Sequence, residues 1–300
     1  MQTSTPVPST SRLVRFLKAV LRFLLTRIVL AFVIIGIVSG VVSWVLARVN
    51  VADALAPLPV AVGILAALAG YALFVRLIER RPVSELSLRH SGELLTGTLF
   101  GTVLFSLVVA VLWAVGSYQV LGSNPWQVML SALWIGLVPG FIEEIIFRGV
   151  LYRILEESLG TWISLIITSL FFGFAHAANP GATPFSSIAI ALEAGTMLGM
   201  AYTATRRLWL PIGIHFAWNF VQGGVFGIKV SGLDVTGWLI SRLVGPELIS
   251  GGNFGAEASV VALGLCLLAF ALLTVIAVRR GHIVKPFWSR KTSSLSDTPQ

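Results

Sequence analysis

The chain has 300 residues, of which 56% are hydrophobic and only 11% are charged, and its net charge is +8 at pH 7. Soluble domains carry about 25% charged residues, so this composition and a mean hydropathy of +0.90 exclude an ordinary soluble protein and indicate an integral membrane protein. The single cysteine, Cys266, excludes an intramolecular disulfide.

Apolar runs recur along the chain, and crossing a bilayer takes about 20 apolar residues. We predict an all-α bundle of about eight transmembrane helices in one domain, residues 27–280. Residues 1–26 and 281–300 flank this transmembrane domain. The predicted spans are 27–46, 58–77, 96–118, 127–147, 161–178, 186–204, 210–226 and 258–278.

The two ends of the chain are polar and predict different structures. Residues 1–26 begin with a Ser-, Thr- and Pro-rich stretch, which predicts disorder. Basic residues then recur at helical spacing from Arg12 to Arg22, and this pattern predicts an amphipathic helix on the cytoplasmic membrane surface. A charged flank of the first span explains the same residues equally well. Residues 281–300 predict a disordered tail.

The basic residues indicate how the chain is oriented in the membrane. All but three of the 21 Lys and Arg residues fall in segments on one side of the predicted spans, the exceptions being Arg48, Lys229 and Arg242. The positive-inside rule therefore predicts that both termini are cytoplasmic. Because the basic residues are dispersed over separate segments, we expect membrane lipids, and no nucleic acid, as partners.

An acid pair, Glu143 and Glu144, lies inside an apolar stretch, where carboxylates are costly and usually functional. Neighbouring side chains on a helix diverge by about 100°, so the two acids cannot do the same job. Glu144 precedes Arg148 by four residues, which favours an ion pair on one helix face. Glu143 has no such partner, which makes it the candidate catalytic carboxylate.

Two histidines and an asparagine extend this polar set. A turn is predicted at residues 159–160, and Glu143 and His176 lie about sixteen residues on either side of it, roughly 24 Å along each helix. An antiparallel hairpin would therefore place them at one level, and we expect access from the inner side. His215 and Asn219 are four residues apart and share one helix face.

Such a set favours hydrolysis of an amide without a serine or cysteine nucleophile. A desolvated glutamate can take a proton from water, and histidine and asparagine side chains can donate to a developing oxyanion. The same residues allow a second arrangement, in which Glu143, His176 and His215 hold a zinc ion and leave one position for water. The sequence has no HExxH motif.

These residues form three short motifs in a fixed order: Glu143-Glu144-x-x-x-Arg148, Phe172-x-x-x-His176 and His215-x-x-x-Asn219. Together they resemble the CPBP family of intramembrane proteases, which includes type II CAAX prenyl endopeptidases and bacteriocin-processing or immunity (Abi) relatives. The resemblance covers residues 140–219, within a motif core at 136–222. It implies that Glu143 and His176 activate water, that His215 and Asn219 form the oxyanion site, and that Glu144 and Arg148 support them.

The resemblance leaves the catalytic type open, because the family has been described both as metalloproteases and as metal-free glutamate proteases. We favour metal-free catalysis, with no cofactor. The expected protein is an endopeptidase of a bacterial inner membrane that cleaves membrane-associated substrates, either prenylated CAAX-type proteins or hydrophobic peptides. A proton-coupled transporter also uses intramembrane Glu, His and Arg, and a non-catalytic immunity or chaperone protein would keep the same residues as scaffold.

Two further features have less specific interpretations. Glu193 is a third acid within a predicted span, and we expect a tyrosine or a backbone group to be its partner. The outer loop, residues 227–258, contains an apolar segment at 238–244 that predicts a short surface helix.

Overall fold

The computed structural model of the chain describes residues 23–49 and 57–290. Within these residues, six helices are long and apolar enough to cross a membrane. The predicted all-α membrane bundle is therefore confirmed. The expected amphipathic helix near the N-terminus and the last ten residues of the predicted tail lie outside the described part of the chain.

Ten helices and two strands make up the framework of the described residues. The first helices are α1 (Leu24–Leu46), α2 (Pro57–Phe74) and α3 (Gly92–Ala114), followed by strand β1 (Tyr118–Ser123). The site-bearing helices are α4 (Val128–Glu144), α5 (Arg153–Ala175), α6 (Pro184–Ile190), α7 (Thr196–Thr205) and α8 (Trp209–Asn219). Strand β2 (Leu239–Leu243), α9 (Glu247–Ser250) and α10 (Val260–Arg279) complete the chain order.

Wider π-helical turns extend or join several of these helices. They are Val75–Glu79 after α2, Ile145–Tyr152 between α4 and α5, Ala191–Gly195 between α6 and α7, and Phe220–Val225 after α8. Such turns are rare and often occur at functional sites. The turn Ile145–Tyr152 begins directly after the acid pair, Glu143 and Glu144.

Helices α4 and α5 form one hydrogen-bonded stretch of 48 residues, which reverses direction at Gly160. The backbone there has φ 77° and ψ 170°, a conformation that favours glycine. The rings of Phe147 and Phe172, on opposite sides of the turn, lie 4.9 Å apart. The hairpin is thus observed at the predicted position. The count of eight spans is not confirmed, because α8 and its π turn end short of about 20 residues.

A two-stranded antiparallel sheet occupies the end of the bundle away from the Gly160 turn. Its register pairs Tyr118 with Leu243 and Ser123 with Leu239. The segment that predicted a short surface helix at 238–244 is therefore strand β2, and that prediction is wrong. Side chains along β2 alternate between half-buried and exposed positions, the period of a strand that covers a surface.

Small residues bring α8 into backbone contact with two other helices. A Cβ atom on Gly213 would lie 2.3 Å from the carbonyl oxygen of Leu94 on α3, and one on Gly136 of α4 would lie 2.6 Å from the carbonyl oxygen of Phe216. Helices in membranes commonly approach through such residues. This packing fixes the face of α8 that carries His215 against the acid pair of α4.

A buried ionic cluster ties the helices together near the Gly160 turn. Arg153 donates to Glu79 at 2.9 Å, and Glu79 also accepts from Arg27 and Arg81. Close by, Glu156 accepts from Thr161 at 2.5 Å. These charges satisfy one another, which is the condition for burying them.

The start of the predicted tail packs against the same end of the bundle. The backbone N–H of Thr161 donates to the carbonyl of Val284 at 3.0 Å, and the N–H of Val284 donates to the Thr161 hydroxyl at 2.9 Å. Disorder was expected from residue 281, but residues 281–290 are held by these contacts. The polar composition of the tail did not reveal these contacts, because Thr161 is distant from it in sequence.

Candidate active site

Glu144 is fully buried and is the central acceptor of the site. Nη1 of Arg148 donates to its Oε1 atom at 2.8 Å, in the predicted i, i+4 geometry. Arg148 also donates to the carbonyl oxygens of Ala194 at 3.0 Å and Gly195 at 3.2 Å. One guanidinium therefore joins α4 to the π turn between α6 and α7.

His215 makes a contact with Glu144 that the sequence analysis did not foresee. Its Nδ1 atom lies 2.8 Å from Oε1 of Glu144, and its Nε2 atom lies 4.0 Å from Oε2 of Glu143. The carboxylate fixes the ring and directs Nε2 toward Glu143. The signal that could have indicated this contact is the pair Gly136 and Gly140, which permits close approach of another helix to α4.

His176 caps the C-terminal end of α5 and has one nitrogen engaged. Its Nδ1 atom lies 2.8 Å from the carbonyl oxygen of Phe172. A carbonyl can only accept, so Nδ1 carries the hydrogen and Nε2 is left for other partners. The ring of Phe172 lies between the two histidines, with centroids 5.0 Å from His176 and 6.0 Å from His215.

Glu143 is the half-buried acid of the pair, with 30% of its side chain exposed. Its Oε2 atom has no hydrogen-bond partner among the described residues. A groove of about 950 Å³ is lined by Glu143, His176, His215 and Asn219 together. The structure thus brings the four residues that the sequence singled out as catalytic candidates to one cavity.

The groove lies on the side of the site away from the Gly160 turn. Its walls include Trp134 and Val138, which precede the acid pair on α4, and Val230 and Leu233 of the long loop. Access from the inner side of the membrane stays a prediction.

Two acids outside the predicted set lie beside the same histidines. Glu193 and Glu257 line a second cavity, which His176, His215, Asn219 and Ser231 separate from the groove. The Glu257 carboxylate accepts the backbone N–H of Ser231, and burial raises the pKa of Glu257. Glu257 was missed because it lies in a loop, although it is an acid directly before the apolar run of α10.

Comparison with known proteins finds a match over the helices that carry the candidate site residues. Residues 124–221 match the family described as "Type II CAAX prenyl endopeptidase Rce1-like". The predicted resemblance to the CPBP proteases is confirmed. The matched segment extends from just before α4 into the π turn after α8, and it contains both acids, Arg148, both histidines and Asn219.

A curated relative is consistent with the CPBP family. The Bacillus subtilis (strain 168) protein named "Putative membrane peptidase YdiL" is 26% identical over 136 residues, which are 45% of this chain and 50% of that protein. The chain therefore aligns with about half the length of this relative. No solved structure matches the chain.

Members of the CPBP family have been described with and without a metal, so the fit of a metal to these residues matters. No group of three or more His, Cys, Asp or Glu side chains within residues 23–49 and 57–290 is arranged to hold a metal ion. The Nδ1 atom of His215 is engaged by Glu144, which leaves Nε2 as the nitrogen that could bind a metal. Catalysis without a metal stays a prediction.

Proposed function

We propose that this protein is an intramembrane endopeptidase that hydrolyses peptide bonds of membrane-associated substrates with water activated by Glu143. The observation that carries the proposal is the position of Glu143. Its free carboxylate oxygen faces Nε2 of His215, whose other nitrogen is held by a buried carboxylate. The matches to a family of endopeptidases and to a protein named as a membrane peptidase support this reading.

The first step is attack of water on the substrate carbonyl carbon. Glu143 accepts a proton from the water molecule while the water oxygen bonds to that carbon, which leaves a negative charge on the carbonyl oxygen. His176 orients the water, because its Nε2 atom is free to accept a hydrogen bond while Nδ1 donates to Phe172. Glu143 and His176 come from opposite arms of the hairpin.

The developing oxyanion requires hydrogen-bond donors. When the His215 ring is protonated, Nε2 carries a hydrogen, and the Glu144 carboxylate at Nδ1 balances the ring's charge. The amide of Asn219, one helical turn further along α8, is the second donor. Loss of one such donor typically lowers turnover about 100- to 1,000-fold.

Collapse of the tetrahedral intermediate completes the reaction. The proton on Glu143 passes to the amide nitrogen, the carbon–nitrogen bond breaks, and the products are a new carboxyl end and a new amine. One water is consumed and no oxidant or reductant is needed. Glu143 returns to its starting state.

The lining of the groove supports a proposal about the class of substrate. Helix α4 supplies apolar wall residues, among them Trp134, Ile135 and Val138. Apolar walls suit a hydrophobic peptide segment or a lipid-modified end. We propose membrane-associated proteins as substrates, with prenylated CAAX-type ends as one form, and a bacterial inner membrane with both termini cytoplasmic as the setting.

Cleavage of a defined peptide library tests the function. The purified protein in lipid nanodiscs is incubated with fluorogenic peptides, with and without a prenyl group, and the products are identified by mass spectrometry. The proposal expects peptide-bond cleavage that is lost in Glu143→Ala. No cleavage of any member by the folded protein, or cleavage unaffected by Glu143→Ala, would contradict it and favour a transporter or a non-catalytic scaffold.

A further inference from the structure

A second cavity lies behind the groove, and we call it the chamber. Both cavities are lined by the same four residues, His176, His215, Asn219 and Ser231. Besides these residues, the chamber is walled largely by apolar side chains. It therefore adjoins the face of the proposed catalytic residues opposite to the substrate.

One wall of the chamber carries Glu193, whose side chain is unusual. The residue is 1% exposed, and neither carboxyl oxygen has a hydrogen-bond partner in the part of the chain that the structure describes. The tyrosine or backbone partner that the sequence led us to expect is not among these residues. A buried carboxyl group without a partner is costly, so Glu193 needs a ligand from within the chamber.

Other polar groups face the same space. Glu257 also lines the chamber and accepts the N–H of Ser231, and Nε2 of His176 has no hydrogen-bond partner among the described residues. A buried water molecule makes about three hydrogen bonds to otherwise unsatisfied groups, and the polar side chains of the chamber offer such groups. Water can donate two hydrogen bonds, so it is a ligand that these acceptor groups fit.

We propose that the chamber is a water-binding site in which Glu193 retains the water that the adjoining groove consumes in hydrolysis. A hydrolase surrounded by hydrocarbon uses one water per turnover and needs a polar place to keep it. Water bound at Glu193 would be separated from Glu143 only by the shared wall of His176, His215, Asn219 and Ser231. The supply role rests on the proposed function, whereas the binding of water does not.

The chain contains its own reporters of water in the chamber. Met197 and Cys266 line it and are 2% and 1% exposed. Met200, on the same helix as Met197, is fully buried in the hydrophobic core. Sulfur side chains react readily with hydroxyl radicals, and short X-ray pulses make these radicals from any water next to a residue.

Radiolytic footprinting of the full-length protein in nanodiscs, read by mass spectrometry, is therefore the test of water binding. We expect Met197 and Cys266 to be oxidised several-fold faster than Met200 in the wild-type protein. We expect Glu193→Leu to abolish this difference and Glu193→Gln, which still forms hydrogen bonds, to keep it. Oxidation of all three residues at one rate in the wild type would overturn the proposal, even if Glu193→Leu failed to fold.

Turnover of a cleaved peptide tests the supply role. Glu193→Leu should lower kcat about tenfold or more with KM unchanged, because it removes hydrogen bonds to water and leaves the groove intact. Glu193→Gln should restore most of the loss, which a purely steric role would not predict. The supply role would be overturned if Glu193→Leu abolished the faster oxidation of Met197 and Cys266 but left kcat unchanged. If Met197 were oxidised quickly in a protein that cleaves no peptide, the water site would be supported and the proposed function would be contradicted.

Discussion

The Nδ1 atom of His215 lies 2.8 Å from Oε1 of Glu144, an oxygen that also accepts from Arg148 at 2.8 Å. One buried carboxylate thus orients the histidine of α8 and neutralises the guanidinium of Arg148, in the π-helical turn after α4. Its neighbour, Glu143, is left free toward the groove. The adjacent acids divide their tasks because successive side chains on a helix point in different directions.

Removal of Glu144 is expected to damage both stability and activity. Glu144→Ala leaves Arg148 buried without its charge partner, and breaking such a pair typically costs about 3–5 kcal/mol. The thermal midpoint of the detergent-purified protein should therefore fall, along with its yield. Glu143→Ala is the matched control and should leave the midpoint near that of the wild type. Equal midpoints for the two variants would contradict the division of tasks.

Close packing of α8 against α3 is expected to control the position of His215. A Cβ atom at Gly213 would lie 2.3 Å from the carbonyl oxygen of Leu94 and 2.8 Å from the backbone nitrogen of Thr98. Gly213→Ala should therefore push the helices apart, at a cost of about 1–3 kcal/mol, and should reduce kcat by moving His215. Thermal unfolding and peptide cleavage measure the two effects.

Gly264 of α10 provides the control for that experiment, because a Cβ atom there would meet nothing within 4 Å. Gly264→Ala should leave both the midpoint and kcat unchanged. If Gly213→Ala behaved like Gly264→Ala, the observed helix contact would not be what positions His215.

Chelators are expected to leave turnover unchanged. The proposed mechanism uses only side chains and water, and no group of three or more His, Cys, Asp or Glu side chains within the described residues is arranged to hold a metal ion. The measurement is peptide cleavage after treatment with 1,10-phenanthroline and EDTA, followed by addition of zinc. Loss of turnover that zinc restores would show that a metal takes part.

The features that could be predicted from the sequence depend on the regular geometry of a single helix or hairpin. The shared level of Glu143 and His176 follows from equal helix lengths on either side of Gly160, and the Glu144–Arg148 contact follows from i, i+4 spacing. The contact between Glu144 and His215 depends instead on which helix packs against α4. Spacing within one helix carries no information about that choice.

The features that differ from prediction depend on contacts between distant segments. Segment 238–244 became a strand because β1, more than a hundred residues earlier, lies beside it. Glu193 was expected to have a structural partner, but what faces it is decided by α10 and by the loop that carries Glu257.

The proposal that Glu143 activates water is tested most directly by the steady-state kinetics of Glu143→Gln on a peptide that the wild-type protein cleaves. This variant keeps the shape of the side chain and removes its basicity. We predict that kcat falls at least about 100-fold, while KM and the thermal midpoint stay at wild-type values. Wild-type turnover by Glu143→Gln would contradict the account.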